Sequence, residues 1–258
     1  MKSTDRHRVI VDRLRSGAQV AVAELAEATG ASEMTIRRDL DLLAASGVLR
    51  RIHGGAVPLS PAGVEPPFTA RAATATATKR AIAAAAVELV RDGETIVLDS
   101  GTTAVEVAKL LRGRAVTVMP LSLHAVRELL DAPEVRLLLP GGEPRPGELA
   151  MVGPLALASL RALRFDVAVL SPCAFGLEAG LTAHNLADAE VKQQAMAVSG
   201  RTIVLADGTK FDRTALAHVC PADRPDVLVT DPSAPAGVRR ELAERGVLVH
   251  VAEPLENL

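Results

Sequence analysis

The stretch SEMTIRRDLDLLAASGVLRR (residues 32–51), followed by HGGA (residues 53–56), decides the fold of the amino-terminal part of the chain. Ser32 is a residue type that caps helix N-termini. Apolar side chains then recur at i, i+4 and i+7, at Ile36, Leu40 and Leu43. This spacing predicts a helix with one buried face, which Gly47 is expected to end.

Polar and basic side chains fall outside the buried face of this helix, in its first two turns. Helix-turn-helix proteins direct such early-turn residues into the major groove of DNA. After Gly47, residues 48–51 are predicted to form a short strand with two arginines placed for phosphates or a minor groove. The candidate DNA-binding residues are therefore Ser32, Glu33, Thr35, Arg37, Arg38, Arg50, Arg51 and His53.

The preceding residues complete a helix-turn-helix pattern. Residues 6–15 and 22–29 each predict a helix with apolar residues on one side, and Gly30 provides the turn before the third helix. Residues 1–58 therefore predict a winged helix-turn-helix domain, with the order helix, helix, turn, helix and wing. The alternative is a small helical subdomain whose arginines are merely solvated.

Composition limits the classes of function. The net charge is only −2, but residues 1–60 carry nine lysines and arginines against seven acids. This small local excess fits a sequence-specific DNA-binding protein better than one that coats nucleic acid without specificity. Cys173 and Cys220 lack zinc-ligand spacing and are predicted to be reduced thiols. We expect no metal and no cofactor. Because no apolar run is long enough to span a membrane and no signal peptide is evident, we expect a cytoplasmic protein without membrane contact.

The remainder of the chain has a different pattern. Residues 59–70 contain three prolines and predict a linker, and residues 71–91 predict one long alanine-rich helix. Short Val/Ile/Leu runs then alternate with helical segments, which predicts an α/β domain with a parallel sheet over residues 71–258. The predicted strands are 95–98, 115–119, 135–139, 166–170, 202–205, 227–229 and 247–251.

Ligands in open α/β sheets bind at the carboxyl ends of the strands. Asp99, Ser100, Gly101, Thr102 and Thr103 follow the first predicted strand, and a glycine, three hydroxyls and a helix N-terminus suit a phosphate. An ordinary strand-to-helix turn with a capping threonine fits the same pattern.

Three further residues are candidates at other strand ends. Gly141 permits close approach of a ligand, or simply forms a turn. Lys192 and Lys210 are two of only five lysines among 29 basic residues, and they contact a ligand or are solvated surface charges.

Several strings resemble the signature of the DeoR family of bacterial transcription regulators. In the amino-terminal part they are VAELA (22–26), TIRRDL (35–40) and RIHGGA (51–56). In the remainder they are VLDSGTT (97–103), GG (141–142), VG (152–153), GLT (180–182), EVK (190–192) and ADGTKF (206–211). The resemblance covers about residues 5–252. It implies a sensor domain similar in fold to ribose-5-phosphate isomerase and CoA transferases, which binds phosphorylated sugars or related metabolites.

The resemblance also implies which residues contact the effector. Carried over by position, they are Asp99, Ser100, Gly101, Thr102, Thr103, Gly141, Lys192 and Lys210. Pro120-Leu121-Ser122 and Ala174-Phe175-Gly176 depart from the family pattern, because an amide and a carboxylate are missing, and Ser171-Pro172-Cys173 replaces a glycine-led turn. Loss of these groups is expected to change the selectivity for sugar hydroxyls rather than the fold.

We therefore predict a sequence-specific regulator that binds double-stranded operator DNA as a homo-oligomer, a dimer or a tetramer. The resemblance implies a repressor of sugar or carbon-metabolism genes that a phosphorylated sugar releases. One alternative is a regulator whose sensor has lost phosphosugar binding and serves oligomerisation. Another is a sugar-phosphate isomerase-like enzyme, but no spacing identifies a catalytic pair, so we expect no enzymatic activity.

Overall fold

The computed structural model describes residues 3–14, 19–45, 49–58, 65–211 and 213–253. The chain divides into two compact units, Met1–Thr74 and Ala75–Leu258. Some predicted features lie outside the described residues. They are the helix end at Gly47, residue 15 of the first predicted helix, residue 48 of the predicted strand and residues 59–64 of the predicted linker. Residues 254–258 also lie outside.

The first unit contains helices and a small sheet in winged-helix order. Its elements are α1 Ser3–Leu14, β1 Val20–Ala21, α2 Val22–Thr29, α3 Glu33–Ala45, β2 Leu49–Ile52, β3 Gly55–Pro58 and α4 Phe68–Ala73. The apolar faces meet in one cluster that includes Ile10, Leu14, Leu25, Ile36, Leu40 and Leu43. The winged helix-turn-helix prediction is confirmed.

The wing is a three-stranded antiparallel sheet in the order β1-β3-β2. The sequence did not predict β1, because two residues inside an apolar run give no period-2 signal. Gly55 explains how β1 fits, since a Cβ there would lie 2.2 Å from the carbonyl oxygen of Val20. Only glycine allows this approach.

The second unit is built on a seven-stranded parallel sheet in the order β15-β14-β12-β9-β4-β5-β6. Its strands are β4 Thr95–Leu98, β5 Thr117–Pro120, β6 Arg136–Leu137, β9 Phe165–Leu170, β12 Ser199–Leu205, β14 Val227–Thr230 and β15 Leu248–Val251. Its helices are α5 Thr76–Glu88, α6 Thr102–Leu111, α7 Leu123–Leu129, α8 Pro154–Arg161, α9 Leu186–Ala197 and α10 Ala236–Glu244.

Both faces of this sheet are buried. Ile96 and Leu98 face a cluster shared with α5, α6 and α7, whereas Val97 faces a cluster shared with α8, α9 and α10. Continuous apolar runs are typical of strands covered on both sides, so the parallel α/β prediction is confirmed. Among the described residues, no helix is long and apolar enough to cross a bilayer.

The single helix predicted for residues 71–91 is wrong. The chain forms α4 and α5 with a break at Thr74 and Ala75, where Ala75 has a φ of 52°. The Thr74 hydroxyl donates to the carbonyl of Ala70 over 2.9 Å, and such side-chain bonds compete with the helix. The continuous alanine-rich pattern gave no indication of this helix break. The break coincides with the division between the two units.

The sequence also failed to predict the antiparallel strands of the second unit. They are the hairpin β7 Glu143–Pro144 and β8 Met151–Val152, and a three-stranded sheet of β10 Ala174–Gly176, β11 Gly180–Ala183 and β13 Ala217–Cys220. These segments are short and rich in small residues, so they lack strand propensity. The three-stranded sheet contributes Phe175, which contacts Phe211 with 5.5 Å between ring centroids.

Candidate functional site

The N-terminus of α3 is capped as its sequence predicts. The Ser32 hydroxyl accepts a hydrogen bond from the amide of Thr35 over 3.3 Å, and the two hydroxyls are 2.9 Å apart. Glu33 begins the helix. Ser32 and Thr35 therefore lie together at the end of α3 that is predicted to enter the major groove.

The two arginines of α3 are exposed. Arg37 pairs with Glu33 one turn earlier over 2.8 Å, and both side chains are about half exposed. The side chain of Arg38 has no hydrogen bond or ion pair within the described part of the chain. An exposed pair of this kind contributes at most about 1 kcal/mol, so Arg37 is able to exchange Glu33 for a phosphate or a base.

The wing carries the remaining predicted residues. Arg51 is 3.0 Å from Asp41 of α3 and donates to the carbonyl of Gly55 over 3.4 Å, while Arg50 is half-buried. His53 is exposed at the turn between β2 and β3. The predicted DNA contacts thus lie on one helix and one hairpin of the first unit, and their role in DNA binding stays a prediction.

Asp39 positions α3 but carried no sequence signal. It is 4% exposed and accepts hydrogen bonds from Arg6 over 2.7 Å and from His7 over 3.1 Å, both on α1. Burial pushes the pKa of Asp39 upward, but the hydrogen bonds from Arg6 and His7 outweigh it and hold the pKa below its ordinary value. An aspartate between Arg38 and Leu40 on a helix gave no indication that its partners lie 32 and 33 residues earlier.

Asp39→Asn is expected to cost about 1.5–3 kcal/mol at pH 7, because charge-assisted bonds become neutral ones. A carboxyl with a depressed folded-state pKa stabilises the fold above its unfolded pKa of about 3.9, and this contribution is lost as the pH falls through the folded-state value. The difference between the two proteins should therefore shrink below about pH 4. Urea denaturation followed by circular dichroism across pH measures it. Asp41→Asn, at an exposed position, is the control, and equal acid slopes for all three proteins would contradict the assignment.

In the second unit, three adjacent strands bring three loops to the carboxyl edge of the sheet. The loops after β4, β9 and β12 contain residues 99–101, 171–173 and 206–207, since these strands are neighbours. α6 starts directly after Gly101, which has a φ of 110° and offers no side-chain cap. The first amides of α6 therefore face the loop without an internal partner.

Asp99 connects two of these loops. Its side chain is 1% exposed. One oxygen accepts from the amide of Ser100 and from Lys192, each over 2.7 Å, and the other accepts from the amide of Ser171 over 2.8 Å. The carboxylate thereby sets the geometry of the turn that precedes α6.

Lys192 is not a surface charge. It is 2% exposed, and its ammonium group also donates to Asp188 over 3.1 Å. Burial alone would lower the pKa of Lys192, but the carboxylates of Asp188 and Asp99 outweigh it and raise that pKa above its ordinary value. Asp99, Asp188 and Lys192 form a buried triad in which the two carboxylates take two of the three ammonium donors.

The predicted hydroxyl groups follow Asp99 in the chain and are buried. They belong to Ser100, Thr102 and Thr103, and the Ser100 hydroxyl lies 3.5 Å from Asp188. Ser171 adds a hydroxyl that is buried without a hydrogen-bond partner, about 4.0 Å from where a Cβ on Gly101 would stand. The sequence singled out Ser171 only as a departure from a glycine-led turn.

Gly141 and Lys210 make their hydrogen bonds outside the triad. Gly141 donates its amide to Ser159 of α8 over 3.1 Å, and Lys210 ends a 3-10 turn, Gly208–Lys210, after β12. Within the described residues no hydrogen bond or ion pair joins either residue to the triad. Their contact with an effector stays a prediction.

One of the departures from the family pattern, at Leu121, lies beside the end of β4. Leu121 is 1% exposed and donates its amide to the carbonyl of Leu98, while Ser122 caps α7 through the amide of His124. Gly176 ends β10. An apolar side chain thus stands next to the end of β4, where the family has an amide.

Comparison with known proteins identifies the family. The family described as DeoR-like helix-turn-helix domain matches residues 6–62, and that described as DeoR C terminal sensor domain matches residues 74–232. The chain belongs to the DeoR family. It is a DNA-binding transcriptional repressor of the DeoR type. The curated relatives are named as regulators rather than enzymes.

Two relatives illustrate the similarity of this DeoR-family chain. It is 36% identical to a protein assigned as a transcriptional repressor of the aga operon in Escherichia coli O157:H7, over 96% of this chain and 93% of that one. It is 29% identical to the glycerol-3-phosphate regulon repressor of Escherichia coli K12, over 96% and 98%. Ribose 5-phosphate isomerase A of Methanocaldococcus jannaschii matches with a TM-score of 0.39 and 20% identity, over 52% of this chain and 53% of that chain.

Proposed function

We propose that this DeoR-type repressor binds operator DNA through α3 and the wing, and leaves it when a phosphorylated sugar or related phosphometabolite binds beside residues 99–103. A homodimer, or a pair of dimers, would present two α3 helices about 34 Å apart on successive major grooves. The name of one relative, the glycerol-3-phosphate regulon repressor, supports a link to phosphorylated carbon sources.

The uncapped N-terminus of α6 carries the proposal for the effector. Gly101 is the N-cap residue of α6 and gives no side-chain cap to the first amides of the helix. The hydroxyls of the adjacent Ser100, Thr102 and Thr103 are buried. Ser171 contributes a buried hydroxyl without a partner. Unpaired amides, hydroxyls and the positive helix end together suit a phosphate group. The buried triad positions these groups, because Asp99 fixes the amides of Ser100 and Ser171.

Release from the operator requires a difference in affinity between two states. An effector weakens DNA binding only if it binds the DNA-incompetent arrangement more tightly, by the coupling free energy. Typical coupling of 1–3 kcal/mol corresponds to a weakening of operator binding by about 5- to 150-fold.

A thermal-shift panel on the full chain tests the effector class. Each sugar is paired with its phosphorylated form, and inorganic phosphate is included. A ligand at a hundred times its dissociation constant adds about 2.7 kcal/mol, which corresponds to a rise in Tm on the order of 5–10 °C for a unit of this size. We expect a rise with a sugar phosphate and none with its parent sugar.

Ser171→Ala is the matched variant for this panel. Because the Ser171 hydroxyl has no partner, its removal should leave the ligand-free Tm unchanged and reduce the shift caused by the sugar phosphate. An unreduced shift would place the phosphate elsewhere.

The alternative function is a sensor that no longer binds phosphosugars and serves oligomerisation. The apolar Leu121 beside the loop and the glycine at position 176 favour it. It predicts no shift with any sugar phosphate and an operator affinity that is indifferent to all of them.

A further inference from the structure

A cavity lies at the opposite edge of the parallel sheet from residues 99–103. It has a volume of about 490 Å³, within the range of about 300–1,000 Å³ that is usual for small-molecule sites. Its floor includes Thr95, Thr117 and Arg136, the first residues of β4, β5 and β6, which pair in one row across the sheet. It therefore opens at the amino ends of these strands.

The topology explains why this part of the sheet is open. α8 ends at Arg161, and the edge strand β6 contains only two residues. The end of α8 and the start of β9 form one wall, with Leu163 and Phe165. Met119 and Leu138 form the next row of the floor, and Leu139 lines the cavity although it is 61% exposed. The interior is thus mainly apolar and accessible.

The charged side chains that line the cavity are the cationic Arg136 and Arg164, while the carboxylate of Asp166, outside the lining, is held by the amide and hydroxyl of Thr95. The Arg136 amide donates to the carbonyl of Val116 over 2.9 Å, but its exposed guanidinium group has no hydrogen bond or ion pair within the described residues. No acidic side chain lines the cavity. Arg164 donates to the carbonyls of Arg161 and Leu163 at the end of α8, where it offsets the negative end of the helix. Arg136 is left as the cation available to a ligand.

We propose that this cavity binds a small amphipathic monoanion, an apolar chain or ring that ends in one carboxylate. The carboxylate would pair with Arg136, since guanidinium groups bind carboxylates in bidentate geometry. The apolar body would cover Met119, Leu138 and Phe165. Sugar phosphates do not suit the cavity, because its apolar walls would leave their hydroxyls without partners. The site goes beyond the function proposed for residues 99–103.

Calorimetric titration of the full chain with sodium octanoate and with 1-octanol tests this proposal. Octanoate should bind about tenfold more tightly than 1-octanol. Arg136→Gln should weaken octanoate about tenfold and leave 1-octanol unchanged, whereas Ala162→Phe, at an exposed position in the cavity wall, should abolish both. Arg127→Gln, at an exposed position on α7, is the matched control and should change neither.

Three results would overturn the proposal. The first is equal affinity for the two probes, and the second is octanoate binding that neither Arg136→Gln nor Ala162→Phe reduces. The third is a wild-type protein that binds no octanoate together with an Ala162→Phe variant of lower molecular mass by light scattering, which would show that a second copy of the chain occupies the cavity. Ser171→Ala should leave octanoate binding unchanged, so this site and the proposed effector site succeed or fail separately.

Discussion

Lys192→Met is expected to lower the free energy of unfolding of the sensor unit by about 3–5 kcal/mol. The substitution leaves Asp99 and Asp188 buried without the ammonium group that lies 2.7 and 3.1 Å from them. An uncompensated buried carboxylate carries a large desolvation cost, and methionine replaces only the apolar part of the lysine. Urea denaturation of the full chain followed by circular dichroism measures the loss.

Lys109→Met is the matched control for this experiment. Lys109 is 41% exposed and pairs with Glu106 on the surface of α6, so its loss should cost at most about 1 kcal/mol. Adding Asp188→Asn to Lys192→Met should recover part of the stability, because one buried charge disappears. If Lys192→Met and Lys109→Met were equally stable, the triad would contribute no net attraction.

Arg37→Ala combined with Arg38→Ala is expected to weaken operator binding by about a hundredfold or more. Each arginine that makes a bidentate base contact contributes about 1–3 kcal/mol of discrimination, and both side chains are exposed in the first two turns of α3. Loss of Arg38 should have the larger effect, because Arg37 must first leave Glu33. The measurement is a gel-shift titration on a DNA fragment selected from random sequences by the wild-type protein.

Arg240→Ala, at an exposed position of α10, serves as the matched control for the arginine pair. Salt titration separates the two kinds of contact. Loss of a phosphate contact lowers the salt slope by about one and weakens all sequences alike, whereas loss of a base contact relaxes sequence preference. Wild-type affinity of the double variant at every salt concentration would remove α3 from the DNA interface.

The first unit could be predicted from sequence because its signals are local. The spacing of Ile36, Leu40 and Leu43, the cap at Ser32 and the basic wing all act within a few residues of one another. The partners of Asp39 lie on α1, and the approach of β1 to Gly55 depends on the packed sheet. Local periodicity contains no information about such long-range contacts.

In the sensor unit, too, local patterns predicted the strands but not the long-range contacts of the candidate site. Val/Ile/Leu runs predicted the parallel sheet, and strand-end position placed residues 99–103 and Lys192 at the same edge. The pattern could not show that Lys192 is paired with two buried carboxylates, because Asp99 is 93 positions away in the chain. The orphan hydroxyl of Ser171 was likewise invisible, since an absent hydrogen bond exists only in the folded structure.

The shared carboxylate of Asp99 has a consequence for redesign of the sensor. Asp99 holds the turns after β4 and β9 at once, so a library that varies triad members one at a time would consist mostly of poorly folded proteins. Leu121 and Gly176 lie outside the triad, although Leu121 is 1% exposed and packs in the core, so only apolar replacements of similar volume are compatible with an intact frame there. New ligand specificities should therefore be sought at those two positions, while Asp99, Asp188 and Lys192 are all kept unchanged.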